Sequence, residues 1–138
     1  MKITLSLNNQ VHFTAVNEAG TKVDLDGPAS IGGQNKGMRP IELFLSAMIA
    51  CMSLDVVHII RKSRCEIIDY KVEASGNRRT EPDPKVFTDI HLLFSFKGAI
   101  PPEVAARAVK LSVEKYCSIK EMLKPEVKVT YEIVPFVD

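Results

Sequence analysis

At 138 residues the chain is the size of one domain, residues 1–138, long enough to bury a core of its own. Eighteen Lys and Arg against seventeen Asp and Glu leave a net charge of +1, and no basic run stands out, so nothing points to nucleic acid or to an anionic membrane surface. Three cysteines with no CxxC make no disulfide framework. They read as free thiols of a reducing compartment, where any disulfide is transient and functional.

The N-terminus, MKITLSLNNQ, alternates polar and apolar residues in place of a signal-peptide block, so the expected location is cytoplasmic. Ile3, Leu5 and Leu7, then Val11, Phe13 and Ala15, then Val23 and Leu25 alternate with polar residues. Turn signals at Asn8-Asn9 and Glu18-Ala19-Gly20 divide them into an antiparallel meander. The loop DGPASIGGQNKGM, from Asp26 to Met38, is rich in Gly, Pro, Asn and Ser. Glycines before a helix can cradle a phosphate, but the spacing fits neither GxGxxG nor GxxxxGK[ST], and a plain connector is the stronger reading.

Pro40 opens a helix over 39–62. From Leu43 to Leu54 it carries twelve residues with no charge and two serines, fewer than a bilayer crossing needs. A helix apolar on nearly every side must be covered on nearly every side. It is expected to be the buried central helix, with a second subunit supplying what one chain cannot. Ile68, Tyr70, Val72 and Ala74, then Ile90, Leu92, Phe94 and Phe96, predict two long strands paired as a hairpin. Pro101-Pro102 opens an amphipathic helix to about Tyr116, with Glu103, Arg107, Lys110 and Glu114 outward and Val104, Ala108 and Leu111 inward. Ser118-Ile119-Lys120-Glu121 has the form of a capping box and predicts a short helix ending before Pro125. Val127, Val129, Tyr131 and Ile133 form a last strand. The fold class is α+β with a mainly antiparallel sheet.

Cys51 and Cys117 are the leading chemical candidates. Each alone could be a small buried hydrophobe. Cys117 precedes a capped helix and has Lys115 and Lys120 close in sequence, which favours thiolate. Cys51 lies mid-helix and needs another activator, while Cys65, after Arg61-Lys62-Ser63-Arg64, reads as incidental. Cys51, Asp55 and His58 share a stripe, but His58 is roughly 10 Å up the axis and a base must come within about 3 Å. That argues against a cysteine hydrolase. His12, His58 and His91 show no metal spacing, so neither metal nor cofactor is expected.

The segments GMRPIELFLSAMIAC and VEKYCSIKEML resemble the two cysteine motifs of the OsmC/Ohr family of organic hydroperoxide reductases. SGNRRTEPDPKVFTDIHLLF and AARAVKLSVEKYCS share the look of a less characterised OsmC-like subgroup. The resemblance implies an intertwined homodimer with the cysteine helices at its centre. It makes Cys51 the attacking thiolate and Cys117 the resolving thiol of a peroxidase in oxidative-stress defence. Its substrates would be a small organic hydroperoxide and a dithiol reductant. Characterised members of the family hold an early-loop arginine over the thiol with a glutamate placed just after the helix-opening proline. Here that position is Ile41, the acid is Glu42, about 100° further round the helix, and no arginine precedes Arg39. Glu42, Arg39 and Arg79, with Arg78 beside it, are the candidate substitutes. The alternative is a non-enzymatic module on the same scaffold that binds a small molecule or senses redox state.

Overall fold

The computed structural model describes every residue, Met1–Asp138. It divides into two compact units, Met1–Ser46 and Ala47–Asp138, and the helix α1, Pro40–Lys62, runs through the division.

The first unit is the expected meander. Strands β1 (Ile3–Asn9), β2 (His12–Asn17) and β3 (Lys22–Leu25) pair antiparallel in the order β1-β2-β3. Leu5 faces Ala15 and Leu7 faces Phe13 across the first pair, and Phe13 faces Leu25 across the second, so the alternation does gather the apolar side chains on one face. The first turn falls at Gln10, whose φ is 50°, one residue after the asparagine pair. The unit buries no apolar residue. Ile3, Leu5 and Leu7 stay 60%, 57% and 61% exposed, and its one buried residue is Asp26.

Asp26 organises the loop that follows. Its carboxylate accepts the N–H groups of Gly27 (2.8 Å), Gln34 (2.9 Å) and Lys36 (3.0 Å). The donors at Lys36 and Gln34, followed by that at Gly27, outweigh burial and hold its acid below the usual carboxylate range. Gly33 and Gly37 are where backbones touch. A Cβ on Gly33 would lie 1.7 Å from the Gly27 carbonyl oxygen, and one on Gly37 2.4 Å from Asp24. The phosphate alternative loses its donors here, because the N–H groups that would cradle an anion already hold the loop's own carboxylate.

The second unit holds the core. Strand β4 (Asp69–Arg78) pairs antiparallel with β5 (Phe87–Lys97) as the expected hairpin, and β6 (Lys128–Pro135) pairs parallel with β5. The antiparallel expectation therefore holds for three of the four strand pairings and fails at β6. A parallel partner needs a long crossover, which α2 (Pro102–Leu111) and α3 (Ser118–Glu121) supply. The strands form two three-stranded sheets. Phe87, Ile90, Leu92 and Phe94 of β5 are buried with Ala105, Ala108, Val109 and Val113. The inward face of the amphipathic helix is thus centred on Ala105, Ala108 and Val109, beside the expected Val104 and Leu111.

Helix α1 is covered along one stripe only. Met48, Met52, Val56 and Ile60, four residues apart, are fully buried. Burying four such side chains is worth roughly 6–12 kcal/mol before entropy is counted. The opposite side, with Ala47, Ala50 and Leu54, is open, and Leu54 is 76% exposed. Single-chain burial is therefore less complete than the apolar run predicts. The whole helix, at 23 residues, is also longer than that run, and by length and composition alone it could cross a bilayer. A core helix meets the same test, and the buried stripe is that of a core helix.

Candidate active site

Cys51 and Cys117 come together in the second unit. Cys51 is one residue before Met52, hence at the edge of the buried stripe and half-buried. Cys117 is 3% exposed and arrives by a change of helical step. After α2 the chain makes a π-helical turn, Ser112–Tyr116, closed by the Cys117 N–H to the Ser112 carbonyl at 2.9 Å, five residues back. In an uninterrupted α-helix Tyr116 would stand within about 20° of Ala105, on the buried face, and Cys117 about 120° away. The extra residue of the π turn reverses this: Tyr116 is 49% exposed and Cys117 is inside. Ser112 fastens the turn to α1, its buried hydroxyl donating to the Met52 carbonyl at 2.9 Å.

Cys117, not Ser118, caps α3. Its Sγ accepts the Lys120 N–H at 3.3 Å, so the expected serine cap is displaced by one residue and Ser118 becomes the first residue of the helix. The hydroxyl of Ser118 lies 3.9 Å from Cys51 Sγ. Burial pushes the Cys51 thiol up, but four donors outweigh it: the Ile119 N–H, the Cys117 thiol, the Ser118 hydroxyl and the Ser118 N–H. Its pKa falls below the ordinary thiol value. Cys117 goes the other way. Burial raises it, the Lys120 N–H offsets part of that, and the neighbouring Cys51 raises it further. Its proton also has the Met48 carbonyl as an acceptor at 3.8 Å. Both thiols are free. Such a pair provides one nucleophilic thiolate beside one protonated thiol.

The other sequence candidates are engaged within their own segments. The Arg39 guanidinium donates to Asn35 Oδ1 at 2.8 Å and to the Asp26 carbonyl at 3.4 Å. Glu42 accepts the Arg39 N–H at 2.8 Å, the reciprocal half of a capping box with Arg39 as the cap, Pro40 first and Glu42 third. Arg79 donates from Nε to the Pro84 carbonyl at 2.9 Å, and Arg78 to that of Lys85 at 2.6 Å, so both shape the 78–86 loop. The donors that lower Cys51 come from residues 117–119, with Asp55 and His58 not among them. Cys65 stands apart, its thiol donating to the Ser63 carbonyl at 3.6 Å. Sequence reasoning treated Ser118 only as a cap and overlooked Ser112 and Asp26. The one available signal was a hydroxyl directly after a candidate cysteine.

The protein-family model described as OsmC-like protein matches residues 33–132. Protein YhfA of Escherichia coli (strain K12) is 38% identical over 125 residues, covering 88% of this chain and 90% of its own. Among solved structures, a hypothetical protein from Aquifex aeolicus VF5 is 31% identical with a TM-score of 0.80, covering 99% of this chain and 97% of that one. A Legionella pneumophila structure described as an organic hydroperoxide resistance protein OsmC has a TM-score of 0.69 at 18% identity, with 96% of each chain covered, a likeness of fold.

Proposed function

The chain belongs to the OsmC-like family, and we propose that within it this protein is a thiol-dependent reductase of organic hydroperoxides, with Cys51 attacking and Cys117 resolving. The observation that carries the reading is the placing of the two thiols, Cys117 directly before the Ser118 whose hydroxyl lies 3.9 Å from Cys51 Sγ, with one thiol lowered and the other raised. The description of the Legionella pneumophila relative, and of one from Elizabethkingia anophelis, as organic hydroperoxide resistance proteins supports the substrate class.

The Cys51 thiolate attacks the terminal peroxide oxygen. An S–O bond forms, the O–O bond breaks, and the alkoxide leaves and takes a proton to become the alcohol. Cys51 is then a sulfenic acid. Cys117 sulfur attacks Cys51 Sγ, the S–S bond forms, and the departing hydroxide takes the Cys117 proton as water. A dithiol reopens the disulfide by exchange and is itself oxidised. Arg39 and Glu42 serve this cycle by building the start of α1, and Arg79 by shaping its loop.

The reading includes a homodimer in the cytoplasm. The open side of α1 at Ala47, Ala50 and Leu54, and the exposed apolar side chains Ile3, Leu5 and Leu7, call for cover of the kind a second copy provides. The test is peroxide consumption by reduced protein, comparing cumene hydroperoxide with hydrogen peroxide, with and without a dithiol. Turnover that prefers the organic peroxide, vanishes in Cys51→Ser and stops after one cycle in Cys117→Ser is expected. Consumption no faster than that of Cys51→Ser would overturn the reading and leave a ligand-binding or redox-sensing scaffold.

A further inference from the structure

We propose that Ser118 is the positioning residue of the Cys51 thiolate, donating to it through its hydroxyl and its main-chain N–H in the role a guanidinium would otherwise fill. The proposal rests on Cys51 being the reactive thiol, and it identifies what makes that thiol reactive when Arg39 and Arg79 are held in their own loops.

The first N–H groups of a helix have no partner within it and turn to a side chain, a neighbouring segment or water; here Ser118 is exposed and Ile119 half-buried. In α3 the Glu121 N–H closes on the Cys117 carbonyl at 3.1 Å, and the Lys120 N–H goes to Cys117 Sγ at 3.3 Å. The N–H groups of Ser118 and Ile119 are the remainder, and both act to lower the Cys51 thiol. The Ser118 hydroxyl joins them at 3.9 Å from the sulfur. A helix of four residues has too little aligned backbone for a macrodipole to matter, so these act as separate hydrogen bonds, each to one charged sulfur. Cys117 is the titratable group among the donors. Ser118 follows it directly, so the residue that holds the attacking sulfur is tied by one peptide bond to the resolving one. Movement of α3 during disulfide formation then alters both at once.

The geometry also offers a variant that removes the N–H without breaking the fold. Ser118 is the first residue of α3, where proline is well tolerated. The residue before a proline must be extended, and Cys117 already is, with φ −68° and ψ 103°. Ser118→Pro therefore deletes both donors, Ser118→Ala the hydroxyl alone, and Ser118→Thr neither.

The experiment follows the pH dependence of iodoacetamide alkylation at Cys51, read by peptide mass spectrometry, in the reduced full-length protein and these three variants, with thermal unfolding in parallel. Losing a hydrogen bond to a charged acceptor costs a factor of about ten or more in the thiolate form when the group is well desolvated. At neutral pH Ser118→Pro is expected to slow alkylation about tenfold and Ser118→Ala about two- to fivefold. Ser118→Thr should match the wild type, and all unfolding midpoints should stay close. Superimposable pH profiles for wild type, Ser118→Ala and Ser118→Pro would overturn the proposal. So would loss in Ser118→Thr equal to that in Ser118→Ala. If Ser118→Pro unfolds early, the Ala and Thr pair decides alone. Alkylation needs no peroxide chemistry: altered profiles in a protein that consumes no peroxide would refute the reductase reading and uphold the role of Ser118. Unaltered profiles in an active reductase would do the reverse.

Discussion

The Ser112 hydroxyl should set how fast the disulfide closes. It is fully buried and donates to the Met52 carbonyl at 2.9 Å, and its own carbonyl accepts the Cys117 N–H that closes the π turn. Ser112→Ala removes only the first of these bonds. The Met52 carbonyl lies within α1 and keeps its intrahelical donor on the second lone pair, so no acceptor is stranded. The cost is therefore that of one neutral hydrogen bond, about 1 kcal/mol, not the larger penalty of an orphaned buried group. For a chain of this size that lowers the thermal midpoint by about 3–5 °C. The same energy is a factor of about five in how often the π turn leaves α1, and Cys117 leaves with it. Oxidation with one equivalent of hydroperoxide, quenched by alkylation and followed by intact mass, should show slower conversion of the sulfenic acid to the disulfide, by several-fold. The rate of the first, Cys51-dependent step should be unchanged. Wild-type disulfide kinetics in a variant that has lost the stability would refute the reasoning. The bond would then be a structural contact with no hold on the resolving thiol.

Asp26→Asn removes an acid held low by three N–H donors. A carboxylate depressed in the folded state stabilises above its unfolded pKa, and that contribution is lost as pH falls through the folded value. The variant should be less stable at neutral pH and show a flatter stability profile below about pH 4, checked by denaturant titration across that range. Tyr70, whose hydroxyl meets Ser53 at 3.1 Å, is pushed up to about 12 by burial. Its native state thus holds a proton the unfolded chain gives up, so stability should fall as pH rises from about 10, and Tyr70→Phe should remove that fall. Leu54→Glu places a charge on the open side of α1 at a side chain 76% exposed. It should leave the chain folded by circular dichroism and convert the proposed dimer to a monomer by sedimentation velocity. A dimer that survives it would refute a dimer built on that face.

Much of the architecture was legible because it is local. Period-two alternation located β1 through β5, Pro40 and the uncharged run located α1, and the Pro101-Pro102 pair located α2. Pairing is not local: nothing in Val127, Val129, Tyr131 and Ile133 says that β6 will lie parallel to β5. The thiol pair was legible as two residues, but its geometry was not. The π turn is one carbonyl choosing a donor five residues away, and Ser112–Tyr116 carries no residue type that announces it. The capping-box pattern at Ser118 misled by one position because a thiol, a weak acceptor, took the cap. Glu42 was read as an acid displaced from its usual place. Its carboxylate instead takes the Arg39 N–H, a bond set by helix geometry alone.

The two thiols differ in what surrounds them, and that difference orders the proposed cycle. Cys117 Sγ accepts from Lys120 and donates its proton to the Met48 carbonyl, with the Cys51 thiol, which that proton would lower, as its neighbour. While Cys51 is a thiolate, that proton is best placed on the line between the sulfurs. It stabilises the attacker and keeps the resolver from competing for peroxide. Once Cys51 carries hydroxyl its charge is gone, and the proton's better partner becomes the departing hydroxide. The Lys120 N–H remains on Cys117 to stabilise the charge that develops there. Reactivity should therefore be sequential at neutral pH, with alkylation marking Cys51 well before Cys117 in the reduced protein. Cys51→Ser should remove the like-charge repulsion on Cys117 and make it easier to ionise. Faster labelling of Cys117 in Cys51→Ser than in the wild type is the expected result. Slower labelling would mean that Cys51 activates its neighbour, and the order of attack would have to be reversed.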